Sequence, residues 1–263
     1  MMSGDSTPDN VVPFPSRAER PRVVAVLDQA DTGSRPFRAA ASDGNVYWCK
    51  YPMSDHGREA VVNEVLASIV GEKIGAPVRP WTILDLDRSL VGTIIGESER
   101  IFRLPADPLF GSLALQHCAV SKAVGEVDQD SNYSKFPKLF ALWMLCDAGD
   151  VQMLYDFDDE SAVCSIDHGL WFASFMCLPW SLDLPAGEPL PMLRKRIPEV
   201  DWQKAIDAVA KVDMSLLDEF RTAVPPEWGI EDKQLQRLAQ FVCDNRDRTI
   251  EKLMDYKQRY GMR

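Results

Sequence analysis

The chain has 263 residues, 46% hydrophobic and 26% charged, the balance of an ordinary soluble globular protein with room for one large or two small lobes around a core. Its net charge of −11 argues against a dedicated nucleic-acid binder, whose footprint is a basic face. A nucleotide ligand is not excluded, because one lysine and bound Mg2+ can neutralise a triphosphate locally. No apolar run is long enough to span a bilayer, and no membrane association is expected.

Residues 1–22 lack the apolar core of a signal peptide and read as a flexible leader rich in Pro, Ser and charge, so the expected address is the cytoplasm. Residues 23–30 (VVAVLDQA), 36–41 and 45–51 (NVYWCKY) read as strands. Asp43-Gly44 between the last two is a hairpin signal, and it leaves Lys50 near the end of its strand. Residues 57–75 carry apolar side chains at helical spacing, stopped by Gly75 and Pro77. Strands at 80–86 and 90–95, read as a hairpin across Asp87-Arg88-Ser89, complete a β-rich region, 23–104, of order β-β-β-α-β-β.

From 105 to 263 the chain reads as mainly helical. Segments 109–124 and 135–147 look like buried helices. Short strands at 151–155 and 162–166 flank the acidic turn 156–160. A Pro-rich stretch, 178–191, precedes three helices over about 200–260, the last of them long and amphipathic. Six cysteines without a CxxC pair, in a chain with three histidines, read as buried free thiols in a reducing compartment rather than a zinc centre. GxSxG, HExxH and GxGxxG are absent.

Two groups of residues suggest chemistry. Lys50 ends a strand and Glu64 follows in the next helix. A strand lysine can reach nucleotide phosphates while a helix carboxylate holds it, although the same two residues also fit a solvated lysine and a wet helix face. Asp147 ends an apolar helix, Gln152 begins the next strand, and a β-hairpin returns the chain to Asp167 in Ile166-Asp167-His168-Gly169. Phosphoryl transfer needs a carboxylate to orient the attacking hydroxyl and oxygen ligands to hold Mg2+. These three residues can converge at one mouth. His168 reads as a turn-shaping residue, and Trp48 and Trp81 as borders of a cleft.

The succession VYWCK, NEVLASIVGEKIGAPV, LFALWMLCDAGDVQMLY and AVCSIDHGLWF resembles the HipA-like kinase family over about residues 23–175. That resemblance implies an α+β, two-lobed, protein-kinase-like fold, with a small antiparallel β-rich N-lobe and a mainly helical C-lobe that contains a catalytic β-hairpin. It implies ATP and Mg2+ as cofactors and transfer of the γ-phosphate to a Ser or Thr hydroxyl of a protein. Carried over by position, Lys50 contacts the ATP phosphates and Glu64 steadies it. Gly33 and Ser34 stand where phosphate-cradling backbone is expected. Asp147 is the catalytic carboxylate, and Gln152 and Asp167 face the metal. The family usually reads Asn-x-Asp-Arg-His before a metal-binding Asn. This chain reads Cys146-Asp147-Ala148-Gly149-Asp150-Val151-Gln152, without the Arg and His, and leaves Asp150 as an alternative carboxylate. A small regulatory partner protein fits a family theme of growth control. The rival readings are a pseudokinase acting as a binding module, and a small-molecule kinase with an enclosed acidic acceptor pocket.

Overall fold

A computed structural model describes residues 20–30, 35–52, 57–96, 101–174, 178–183 and 190–263. The chain opens with β1 (Arg22–Gln29), β2 (Phe37–Ala41) and β3 (Val46–Lys50), paired antiparallel in succession. The Asp43-Gly44 hairpin forms as its sequence predicts. Gly44 takes φ of 85°, and the Asp43 side chain accepts from the Asn45 N–H at 3.0 Å. Burial alternates along β2 and β3: Phe37, Ala39, Ala41, Tyr47 and Cys49 are buried. Trp48 and Lys50 therefore project from the opposite face of β3.

Helix α1 (Gly57–Ile74) is buried at every residue from 60 to 71, so it is enclosed on all sides rather than amphipathic. Gly75, at φ of 66°, ends it in a Schellman turn, with Ala76 N–H donating to Gly71 O at 2.8 Å. The next stretch departs from the predicted 80–86/90–95 hairpin. β4 (Trp81–Leu86) runs into a 3-10 turn, Arg88–Leu90, capped by Asp87, whose carboxylate accepts from Ser89 N at 2.9 Å. β5 (Ile94–Ile95) pairs instead with β6 (Phe102–Arg103).

The predicted helix over 109–124 is also replaced, by β7 (Leu109–Leu113) and β8 (Cys118–Ser121). Short apolar runs do not separate strand from buried helix by pattern alone. Here Gly111 is the physical reason for a strand: a Cβ there would lie 2.5 Å from Leu84 Cδ1, so the glycine lets β4 close against β7. β7 joins β3 to β4, and a parallel β1–β4 pair closes a barrel of order β1-β2-β3-β7-β4. The barrel thus takes a strand from beyond residue 104.

β8 forms an antiparallel sheet with β9 (Gln152–Asp156) and β10 (Ala162–Ile166), in the order β10-β9-β8. Helix α2 (Asn132–Leu145) precedes this hairpin. The remainder is helical as expected: α3 (Glu199–Val209), α4 (Leu216–Ala223) and α5 (Asp232–Tyr260). β11 (Ile197–Pro198) and β12 (Gly261–Met262) form a small parallel pair that ties the end of α5 to the start of α3.

The described residues form two apolar clusters. One fills the barrel, around Phe37, Cys49, Leu84 and Leu109. The larger one joins α1 to the helices, and includes Phe140, Trp143, Trp202 and Phe220. Between them the link after α1 is pinned to β10: Ser165 N–H donates to Pro77 O at 2.9 Å. Of the cysteines, Cys49, Cys146 and Cys164 are buried free thiols, Cys118 and Cys243 are half-buried, and Cys177 lies outside the described residues. No described helix is long and apolar enough to cross a membrane.

Candidate active site

Lys50 and Glu64 meet because β3 projects Lys50 away from the barrel core, toward a helix that is buried all round. The Lys50 ammonium pairs with Glu64, which is 2% exposed, and with Asp167 Oδ1 at 2.5 Å. Residues 50, 64 and 167 thus converge from the barrel, the helix and the end of β10. Burial works against the Lys50 ammonium, but the carboxylates of Asp167 and Glu64 outweigh it and raise its pKa. The same ammonium holds Asp167 below the usual carboxylate range, against burial.

The other Asp167 oxygen accepts from Gln152 Nε2 at 3.0 Å, and that nitrogen also donates to Asp150 Oδ2 at 3.0 Å. Asp150 Oδ1 in turn holds Lys122 at 2.5 Å. A continuous polar chain therefore runs Lys50–Asp167–Gln152–Asp150–Lys122. Sequence reasoning found Lys50, Glu64, Asp167 and Gln152, and the structure brings all four together. Asp147 lies in the turn between α2 and β9, buried, just past the helix rather than on its last turn. Gly33 and Ser34 lie outside the described residues.

Both Asp147 and Asp167 sit in the left-handed region, at φ of 46° and 58°. Aspartate tolerates that conformation better than most residues, and such strain persists where surrounding packing fixes it. The packing is visible. Trp171 Nε1 donates to Asp150 O at 2.8 Å, and Phe172 N–H donates to Cys146 O at 2.8 Å, so the segment after β10 locks onto the α2–β9 turn. That contact also accounts for Gly149, since a Cβ there would lie 2.5 Å from Leu170 O. A histidine does not fit at this position.

His168 is buried, its ring 4.3 Å from that of Trp171 and tilted at 54° to it, with Nε2 3.1 Å from Ser165 Oγ. Burial lowers its pKa, which suits the turn-shaping role expected for it. Asn63, the first residue of the NEVLASIVGEKIGAPV segment but given no role there, is fully buried beside Glu64. Its Nδ2 donates to Gly169 O (2.8 Å) and Trp171 O (2.9 Å), and its Oδ1 accepts from Trp180 Nε1 at 2.9 Å. The segment resemblance included it, but nothing in the sequence showed what it would hold. Lys122 had no sequence signal, because its segment reads as helix.

A cavity of about 430 Å3 opens beside this network. Phe110, Leu154 and Ile166 give it apolar walls, while Lys50, Glu64 and Asp167 occupy its polar end. Trp48 borders it as expected. Trp81 does not, and instead stacks on Phe110 and donates to Glu72 Oε1 at 2.9 Å. Among the described residues no group of three His, Cys, Asp or Glu could hold a metal by itself. Of the oxygen donors, Asp167 lines the polar end, while Asp150 and Gln152 follow it along the polar chain, Gln152 with its amide nitrogen toward Asp167. That set fits Mg2+, which takes one or two carboxylates and completes its shell with water and phosphate.

A sequence model described as HipA-like kinase matches residues 23–259. No curated protein matches the chain. Two solved structures each align with 88% of this chain at 10% identity. The Golgi casein kinase with Mn/ADP bound has a TM-score of 0.47 over 72% of its own chain, and the Helicobacter pylori proinflammatory kinase CtkA has 0.49 over 96%.

Proposed function

This chain belongs to the HipA-like kinase family, and on that premise we propose that it is an ATP- and Mg2+-dependent phosphotransferase. In this reading the barrel and the helical part act as two lobes with the nucleotide between them. The acceptor is a Ser or Thr hydroxyl of a cytoplasmic protein, and a small regulatory partner is part of the same expectation. The observation that carries it is the convergence of Lys50, Glu64 and Asp167 at the polar end of a nucleotide-sized cavity.

The residues divide the work as follows. The apolar walls receive the base, and Lys50, oriented by Glu64, binds phosphate oxygens. Asp167 and the Gln152 amide oxygen would hold Mg2+, which when bound offsets charge on the phosphates. Asp147 accepts the hydroxyl proton as the acceptor oxygen bonds to the γ-phosphorus and ADP leaves. The two oxygens of Asp150 hold Lys122 and Gln152, and Asp150 is the alternative carboxylate for the proton.

The pseudokinase reading has two observations behind it. Residues 148 and 149 carry no cation, and Gln152 turns its amide nitrogen to Asp167. Thermal unfolding with ATP, with and without Mg2+, tests nucleotide binding. At ATP about 100-fold above Kd the stabilisation is about 2.7 kcal/mol, or about 6 °C, and Asp167→Ala removes the Mg2+-dependent part. Absence of any shift in the unaltered protein sinks the nucleotide reading.

A further inference from the structure

Lys122 stands one residue past β8, 68% exposed, with its ammonium 2.5 Å from Asp150 Oδ1. An exposed Lys–Asp pair contributes little to stability. The surroundings nevertheless hold both partners in place. Ser121 Oγ accepts from Ala123 N at 3.1 Å, and Gly125 N donates to Tyr155 OH at 2.8 Å, so the main chain around Lys122 is fixed to the sheet. The fully buried Trp171 fixes the main chain of Asp150 through its carbonyl.

The α2–β9 turn itself cannot supply a cation. Ala148 is buried, and Leu170 O occupies the space beside Gly149. Phosphoryl transfer spreads negative charge over the oxygens of the moving group, and a preorganised cation there acts most strongly in the transition state. Lys50 is committed to Glu64 and Asp167 at the far end of the polar chain. Lys122 is the amine at the other end of that chain, joined through Asp150 to the α2–β9 turn and not part of the cavity wall.

Resting on the phosphotransferase reading, we infer that Lys122 is a catalytic residue that contacts the transferring phosphoryl group, with Asp150 as its positioning residue. It brings from β8 the positive charge that residues 148 and 149 do not carry. The γ-phosphoryl group leaves ADP and bonds to the acceptor oxygen, and the acceptor proton goes to Asp147. Lys122 remains an ammonium throughout and exchanges no proton.

The test measures affinity for Mg2+·ADP and for the non-hydrolysable Mg2+·AMP-PNP, together with kcat, in the full chain and in Lys122→Gln, Lys122→Arg and Asp150→Asn. Lys122→Gln should leave ADP affinity within about twofold and cut the preference for AMP-PNP over ADP about tenfold, while kcat falls about 100-fold. Lys122→Arg should recover part of both losses, and Asp150→Asn should fall between. An unchanged preference and kcat in Lys122→Gln overturns the inference. So does an equal loss of ADP and AMP-PNP binding, which would mark a merely structural role. The preference needs no turnover, so it reads out even in a protein that binds without reacting. Failure of the unaltered chain to bind either nucleotide would instead remove the phosphotransferase reading itself, taking the role of Lys122 with it.

Discussion

The two halves of the polar site are built differently. On the barrel side, Lys50 is enclosed by two carboxylates whose positions are set by a buried helix and the end of β10. On the other side, the turn of residues 146–151 carries its carboxylates on irregular backbone and takes its support from the segment after β10. The first half can hold phosphate and metal with little rearrangement. The second half decides whether anything is transferred, and it is there that the sequence departs from the family pattern. Under the proposed function, binding and turnover are therefore expected to be separable in this molecule.

The largest effect is expected at the residue that serves both halves. Asp167→Ala should lower labelled-phosphate transfer about 1,000-fold and abolish the Mg2+-dependent rise in melting temperature together, because Asp167 contacts Lys50 and Gln152 at once. If transfer survives that change, the two halves do not meet at Asp167. Asp147→Ala should divide them: transfer falls about 100-fold while the ATP-induced rise is kept. Equal transfer by the variant and the unaltered protein would move the proton-accepting role to Asp150.

On the barrel side alone, Glu64→Gln should cost about 3 kcal/mol in urea unfolding, since it leaves a half-buried lysine short of one carboxylate. A cost below about 0.5 kcal/mol would mean that Asp167 alone balances Lys50.

The smallest effect concerns pH. Burial lowers the His168 pKa from its ordinary 6.5, so the unfolded chain takes up that proton first as pH falls. Stability is present in full above 6.5 and declines on acidification through the window down to the lowered folded value. The slope is at most about 1.4 kcal/mol per pH unit. His168→Gln should remove this component from a series of melts between pH 7.5 and 5.5. A series that is unchanged by the substitution would show that His168 titrates alike in both states.

The barrel-side half was the more legible in sequence. Local pattern placed Lys50 at a strand end and Glu64 in a long apolar helix but also fitted two solvated residues, and the family resemblance is what paired them. Asp167 was legible for a similar reason, as the residue after a short apolar strand. The strand at 109–113 was hidden because five apolar or small residues carry no period that distinguishes sheet from helix, and its role comes from partners at β3 and β4 far along the chain. That misreading concealed Lys122 as well. Asn63 was obscure for a different reason: a polar residue on an apolar helix reads as solvated until the segment it holds is known to be folded over it.

The close approach of Leu170 O to Gly149 limits what this turn can carry. Restoring the family's histidine at that position would place a side chain on the carbonyl of a turn that Trp171 and Phe172 also anchor. A single substitution at Gly149 does not fit, because the turn and the segment after β10 would have to shift together. A side chain that acts at this turn therefore has to reach it from another element.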